Sequence, residues 1–365
     1  MLTRVYIDNF RSFVNFEYRP EQKQLLLGGN GSGKSSLLDA IRYVKQFISG
    51  DVNPFTQSTR TRWQDVPLQI IEIDALLNNR KYEYRIEIKF APETRQLSVH
   101  LESLKVDGAP AFALANGEVH FFLNDGREAT PVPFGVTLSA LKLAQLSNAH
   151  VHRFVEWIES VHCFKIDPYP EKMDERADSE EKHPDYEVEN LAGWYRYLVQ
   201  AHPDDNARYL TSLRACLNEF HGLRFSSEED GVRKLRADFM APTGKKVSYS
   251  LSELSDGQRQ LIALYMILHF SISKGHTVFI DEPDNYVALR EIQPWLQAAA
   301  QEVEDHNGQL ILISHNPELL DQWASEYGLP FFREENGQVR TKAFQGDPDG
   351  ILQPSEMIAR GWELV

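Results

Sequence analysis

The stretch that most limits what this chain can fold into is Gly28-Gly29-Asn30-Gly31-Ser32-Gly33-Lys34-Ser35. It fits G-x-x-x-x-G-K-[ST], and it lies in the setting that this pattern requires. Leu25, Leu26 and Leu27 form a short apolar run before it, as a buried strand would. After it, Leu37, Leu38, Ile41 and Val44 fall at helical spacing. Strand, glycine loop and helix together predict a phosphate loop. The glycines turn backbone N–H groups onto a polyphosphate, and the helix N-terminus adds the positive end of its dipole. On this reading Gly28, Asn30, Gly31, Gly33 and Ser36 line the cradle. Lys34 reaches the β- and γ-phosphates of ATP, and the Ser35 hydroxyl ligates Mg2+.

A length of 365 residues allows one large domain or two ordinary ones, and 42% hydrophobic with 25% charged residues is a soluble globular composition. No apolar run approaches a membrane span, and Met1-Leu2-Thr3-Arg4-Val5 is no signal peptide, so a cytoplasmic protein with no membrane partner is expected. Cys163 and Cys216 give neither a disulfide framework nor a zinc pattern. The formal net charge of −15 argues against a surface coated for nucleic acid, while leaving room for one local basic groove.

Residues 5–13 read as an opening strand running into a turn, with Phe16-Glu17-Tyr18 as its hairpin partner. Residues 49–64 are polar loop. From Leu68 the runs 70–73, 82–88, 97–101 and 119–123 alternate, separated by Asn78-Asn79 and Ala91-Pro92-Glu93, which predicts an antiparallel meander. Residues 138–160 and 191–220 are helical, whereas the acidic and lysine-dense segment 171–189 reads as a solvated or disordered loop. Thr277-Val278-Phe279-Ile280-Asp281-Glu282-Pro283 is an apolar strand ending in two acids. Gln309-Leu310-Ile311-Leu312-Ile313-Ser314-His315-Asn316 is another, ending in a histidine, and 287–305 between them is a helix in which Pro294 should mark a kink or boundary.

An acidic pair at a strand end is by itself ordinary surface; downstream of a phosphate loop it supplies what nucleotide hydrolysis needs. Asp281 would hold Mg2+ and Glu282 would polarise the attacking water. His315 leaves its strand at the carboxyl edge, where ligands bind in α/β folds, and could hydrogen-bond the γ-phosphate. Leu254-Ser255-Asp256-Gly257-Gln258 opens a helix, and Ser255 with Gln258 is a capping box in its own right.

Taken in order, Asn9-Phe10-Arg11-Ser12-Phe13, the phosphate loop, residues 254–258, Asp281-Glu282-Pro283 and Ser314-His315 resemble the ABC-type ATPases, and more narrowly their SMC/RecF-like branch. The resemblance implies an α/β P-loop NTPase of the ABC ATPase head type, with an antiparallel β subdomain, a helical lobe and no long coiled coil. It divides the chain into 1–64 (N-terminal strands, P-loop and first helix), 65–135 (β subdomain), 136–250 (helical lobe with the acidic loop 171–189), 251–345 (signature helix, Walker B strand and switch histidine) and 346–365 (tail). It also implies a homodimer, or higher homo-oligomer, sandwiching ATP. Ser255 and Gly257 would then touch the γ-phosphate held by Lys34 of a second copy, with Arg11 and Gln258 also at the nucleotide and His315 as the switch residue.

Within that branch the chain is most similar to the compact ATPases of bacterial anti-phage systems: the ATPase subunits of Septu and PARIS and the ATPase half of OLD-type proteins. That implies a regulatory ATPase whose cutting activity belongs to a separate nuclease-type effector. A RecF-like DNA-binding ATPase in repair is the alternative, with Arg80, Lys81, Arg85, Arg233, Lys234, Arg236, Lys245 and Lys246 as contacts. Two departures stand out. Asp256 replaces the common signature glycine, and Asp284-Asn285-Tyr286-Val287-Ala288-Leu289 replaces the usual E-x-x-L-H. A Q-loop glutamine is sought at Gln64 or Gln69.

Overall fold

A computed structural model describes residues 1–50, 54–91, 96–135, 137–227, 233–347 and 351–362. The chain forms two compact units, Met1–Val161 with Leu320–Val365, and His162–Leu319.

The first unit is built on the meander. In the strand Arg80–Ala91, Tyr82, Tyr84, Ile86, Ile88 and Phe90 are buried, while Lys81, Glu83 and Arg85 occupy the other face; Ile71, Ile73 and Ala75 do the same in Leu68–Leu77. Asn78 and Asn79 join these strands with φ of +50° and +60°, the two left-handed residues of a tight hairpin turn. Asp107-Gly108 and Asn116-Gly117 repeat this device on either side of Ala109–Ala115, a strand the alternation had not revealed. The expected run 119–123 is shorter, Glu118–Phe121, and Val132–Pro133 pairs beyond it. The Ala91-Pro92-Glu93 turn falls largely outside the described residues. The opening strand Leu2–Asp8 belongs to the same sheet, between its hairpin partner Phe16–Tyr18 and Leu68–Leu77, so the β subdomain draws on both 1–64 and 65–135.

Also in this unit, Lys23–Leu27 pairs in parallel with Gly328–Arg333, which pairs antiparallel with Val339–Thr341. The helix Lys34–Ser49 buries Leu37, Leu38, Ile41, Val44, Phe47 and Ile48. The helical stretch predicted at 138–160 is two helices, Leu141–Ala144 and Ala149–Glu159, the second capped by the Asn148 side chain. The expected tail contains a further short helix, Pro354–Ala359.

In the second unit, His162–Phe164, Thr277–Asp281 and Gln309–Ile313 form a parallel sheet in that spatial order, the last two buried throughout. Leu191–Ala201, Pro203–Cys216, Asp256–Phe270 and Leu289–Asp305 are its main helices. The last continues through Pro294, at which no boundary falls.

Two expectations are corrected here. The segment 136–250 is not simply helical: Phe220–Ser227, Arg233–Met240 and Lys246–Ser250 form an antiparallel sheet, held by buried Phe220, Leu235 and Ala237. Nor is 171–189 a disordered excursion. Arg176–Ala177 adds a strand to that sheet, Met173, Ala177 and Val188 are buried, and Asp174 N and Glu181 N donate to the carbonyls of Glu189 and Gly193. Lys172 pairs with Glu187 and Glu189, which offsets part of the local acid repulsion. Among the described residues no helix is long and apolar enough to cross a membrane, and the longest helix, of 17 residues, is no coiled-coil arm.

One buried carboxyl has a measurable consequence. Glu102 is fully buried and accepts from Tyr84 Oη (2.9 Å), Ser139 Oγ (2.5 Å) and Ala140 N (3.1 Å). Burial outweighs these bonds and pushes its pKa up to about 7. The stability this group contributes is therefore present below about pH 4.5 and lost as pH rises through about 7, up to about 3 kcal/mol. In urea unfolding at stepped pH, the stability of wild type relative to Glu102→Gln should fall from pH 4.5 to 8. A flat difference would show that Glu102 stays ionised in the fold.

Candidate nucleotide site

The first unit carries the phosphate loop. Gly28 has φ +121°, and a Cβ there would lie 2.1 Å from the Phe331 carbonyl oxygen, so only glycine fits. Gly33, with φ +113°, is the N-cap of Lys34–Ser49. No side chain caps this helix and its first turn holds no acid, so the positive end of its dipole faces the glycine loop without a carboxylate beside it. The Lys34 ammonium is buried and donates to the carbonyls of Gly28 (2.5 Å) and Gly29 (3.2 Å), which holds it over the loop. Ser35 is exposed at the first turn and Ser36 half-buried beside it.

Around the loop stand residues that the motif did not announce. Arg333 Nε donates to the Gly31 carbonyl (2.7 Å), and a Cβ on Gly33 would meet Val339 at 3.1 Å and Phe13 at 3.4 Å. Arg11, expected at the nucleotide, pairs with Asp39, which also takes Arg42 at 2.8 Å. Asn9 is fully buried: Nδ2 donates to the carbonyls of Val66 (2.7 Å) and Leu68 (2.9 Å), and Oδ1 accepts from Thr61 N (3.2 Å). Gln69 is occupied likewise, donating to the Asn9 carbonyl at 2.9 Å and accepting from Thr59, so its side chain is a buried brace rather than a Q-loop; Gln64 is half-buried.

The second unit carries the acids and the signature segment. Asp281 ends its strand buried. Glu282 follows with φ +54°, its N–H donating to the Ile313 carbonyl (2.8 Å) and its carboxylate accepting from Asn285 Nδ2 (2.7 Å). Ser314 is buried and His315 exposed just beyond the neighbouring strand end. Asp284 faces Ser314 and Asn316; burial raises its pKa against those two hydrogen bonds.

Ser255 caps Asp256–Phe270 in a complete capping box: Gln258 N donates to Ser255 Oγ (3.2 Å) and Ser255 N to Gln258 Oε1 (3.0 Å). The odd Asp256 pairs with buried Arg259, which also reaches the carbonyls of Pro168, Leu251 and Leu254. Gln260 Nε2 donates to the Pro283 carbonyl (3.2 Å), fastening this helix to the loop that bears Glu282.

Ser35 in the first unit offers a hydroxyl and Asp281 in the second a carboxylate, each by itself the kind of hard oxygen donor that Mg2+ takes. Of the basic clusters, Arg80 pairs with Asp107, Lys81 with Glu83, Arg85 with Glu72 and Glu87, Lys234 with Glu175 and Lys246 with Asp238. These cations already face carboxylates of their own sheets.

Comparison with known proteins agrees with this picture. Residues 171–321 match the family described as "AAA domain, putative AbiEii toxin, Type IV TA system", and residues 4–136 match a family described as "AAA domain". Among solved structures, the chain is similar to an SMC head bound to the C-terminal winged-helix domain of ScpA, at 12% identity and a TM-score of 0.58 over 98% of this chain and 99% of that one. It also matches the SMC head domain from Thermotoga maritima, at 14% identity and a TM-score of 0.49 over 94% and 99%. No match is found among curated proteins. The fold is thus mixed α/β, that of an SMC-head-like P-loop ATPase.

Gly257 gives this site a sharp local test. A Cβ there would lie 2.7 Å from the Tyr286 carbonyl oxygen, backbone that cannot swing aside. Gly257→Ala should cost about 1–3 kcal/mol in thermal or urea unfolding, by forcing the helix start off the 283–287 loop. A variant as stable as wild type would mean that the two segments do not pack this closely.

Proposed function

We propose that the chain is an ATPase that self-associates through bound ATP and, in that state, holds or releases a separate effector, a nuclease, in bacterial anti-phage defence. The observation that carries the ATPase reading is the phosphate loop: an uncapped helix N-terminus behind three glycines of positive φ, with Lys34 fastened over it. Lys34 and the loop amides bind the phosphates, and Ser35 and Asp281 hold Mg2+, which neutralises phosphate charge when bound. Glu282 takes a proton from the attacking water. Asn285 orients its carboxylate, and the Ile313 carbonyl fixes its backbone. His315 contacts the γ-phosphate. Ser255, Gly257 and Gln258 act on the nucleotide of a second copy. The arrangement therefore completes its chemistry only on association.

Two findings support the wider reading. The family matched over 171–321 is described as "AAA domain, putative AbiEii toxin, Type IV TA system", which joins an ATPase-type domain to a toxin–antitoxin system. The related SMC head is described as bound to a domain of another protein, which is the kind of partnership proposed. The carboxylates that face Arg80, Lys81, Arg85, Lys234 and Lys246 favour an effector protein over a duplex as the partner.

Glu282→Gln tests this. It should bind ATP, release phosphate about 10²–10⁴-fold more slowly and accumulate a dimeric assembly in native mass spectrometry of the complex purified from its own host. Phosphate release at the wild-type rate would remove Glu282 from the mechanism. A monomer with ATP bound would remove the sandwich, and a dimer carrying only DNA would favour the repair-type alternative.

A further inference from the structure

We propose that a cavity beside the start of Leu289–Asp305 binds a free α-amino acid with an aliphatic side chain, a role independent of the nucleotide site. The cavity has a volume of about 310 Å³, at the small end of the range for ligand pockets, and lies wholly within the second unit. Its floor is buried Tyr265 with half-buried Cys216. Its rim is Asn218 on one side and Arg290, Glu291 and Pro294 on the other.

The rim carries one charge of each sign that the protein itself does not answer. Among the described residues, neither Arg290 nor Glu291 makes an ion pair or a side-chain hydrogen bond. Arg290 also stands in the first turn of its helix, where the dipole disfavours a cation, and Ala288 at the N-cap offers no side-chain acceptor. Pro294 adds an acceptor to the rim. It lies four residues after Arg290 and has no N–H to give the Arg290 carbonyl, the bond an ordinary helical residue would make there. Arg290 and Pro294 share one helix face and both line the cavity, so that carbonyl lies on the cavity side of the helix.

A guanidinium set beside a carboxylate, a carbonyl and a carboxamide matches the two charges of an α-amino acid. Arg290 takes the ligand's carboxylate, which also offsets its unfavourable place in the first turn. The ammonium has three N–H donors, and Glu291, the Arg290 carbonyl and Asn218 Oδ1 are three acceptors for them. The end of a protein chain carries only one of the two charges, so it leaves either Arg290 or Glu291 unanswered. The floor decides the side chain. The Tyr265 hydroxyl bonds Cys216, and the thiol donates to the Leu213 carbonyl at 3.5 Å, so the polar atoms there are matched within the protein. Burial pushes the Cys216 thiol up to about 11, which leaves the floor uncharged at neutral pH. What it offers a ligand is a phenol ring and a sulfur, with the Pro294 ring beside them, and these suit an aliphatic chain such as that of leucine.

Titration calorimetry of the full chain with L-leucine, N-acetyl-L-leucine and L-leucinamide tests this. Leucine should bind. The acetyl derivative lacks the ammonium and the amide lacks the carboxylate, so each should bind about tenfold more weakly or worse. Arg290→Gln and Glu291→Gln should each lower leucine affinity about tenfold and keep the wild-type melting curve, since neither side chain is paired in the protein. Pro294→Ala gives the Arg290 carbonyl its intrahelical donor back. It should melt higher and yet bind leucine more weakly, a split that a purely structural proline would not produce. No leucine binding to wild type at about 10 mM overturns the proposal. Equal affinity for leucine and both derivatives overturns it as well, because the cavity would then hold only an apolar chain. Full affinity in both charge variants overturns it too, because leucine would then lie elsewhere.

Discussion

The first unit turns on Asn9. It sits at the end of the opening strand with φ +56°, a conformation that asparagine tolerates better than other side-chain-bearing residues. Its amide meets two carbonyls and one N–H of the segment that leads into Leu68–Leu77, and its own carbonyl receives Gln69. Every donor and acceptor of that side chain is satisfied inside the protein. An aliphatic residue in its place would take this partner from Thr61 N and the Leu68 carbonyl, while the Val66 carbonyl would keep Arg60. What Asn9 fixes is relational: the loop 59–66 is pinned to residues 9–13, and residues 9–13 bring Phe13 against Gly33. The segment that packs against Gly33 of the phosphate loop is thus tied to the strand Leu68–Leu77 through one polar residue.

In the second unit the comparable constraint is strain. Glu282 and Tyr286, four residues apart, both hold φ near +60°, which costs free energy for side-chain-bearing residues. Each is held by contacts that outweigh this cost. Glu282 is fixed through the Ile313 carbonyl, and Tyr286 through a close approach to Gly257 that any larger residue would block. With Gln260 bonded to Pro283, the helix Asp256–Phe270 is fastened to the loop 282–287 at a second point. The capping box at Ser255 and Gln258 explains why those side chains start a helix. It leaves Gly257 to be explained, and the Tyr286 carbonyl supplies a reason internal to this chain.

Much of this was legible in the sequence, and what was not has identifiable causes. The phosphate loop could be read because glycine spacing, strand and helix all point one way. The meander could be read because alternation such as Tyr82-Glu83-Tyr84-Arg85-Ile86 leaves one face dry. Ala109–Ala115 was missed because alanines give no contrast in that pattern, although Asp107-Gly108 and Asn116-Gly117 on its flanks were hairpin signals in plain view. Residues 171–189 misled because their order comes from backbone pairing with a distant strand, Arg233–Met240, and from a few buried residues, neither of which composition reports. Gln69 misled in the opposite sense: nothing local distinguishes a surface glutamine from one whose amide braces a buried turn.

Net charge is the property that local structure overrides most completely. A chain of formal charge −15 repels polyanions at long range, and at physiological salt that field decays within about 8 Å. A triphosphate that reaches the loop therefore responds to what lies within a few ångströms: the positive end of the helix Lys34–Ser49, a buried ammonium, and no carboxylate in the first turn. Arg11 contributes indirectly, because its pairing with Asp39 neutralises the acid nearest the loop on that helix. An extended duplex is different, since it needs many exposed cations in register, and here Arg80, Lys81, Arg85, Lys234 and Lys246 already face carboxylates. The same charge balance thus admits a compact polyanion at one prepared point and gives little purchase to a long one at these five cations.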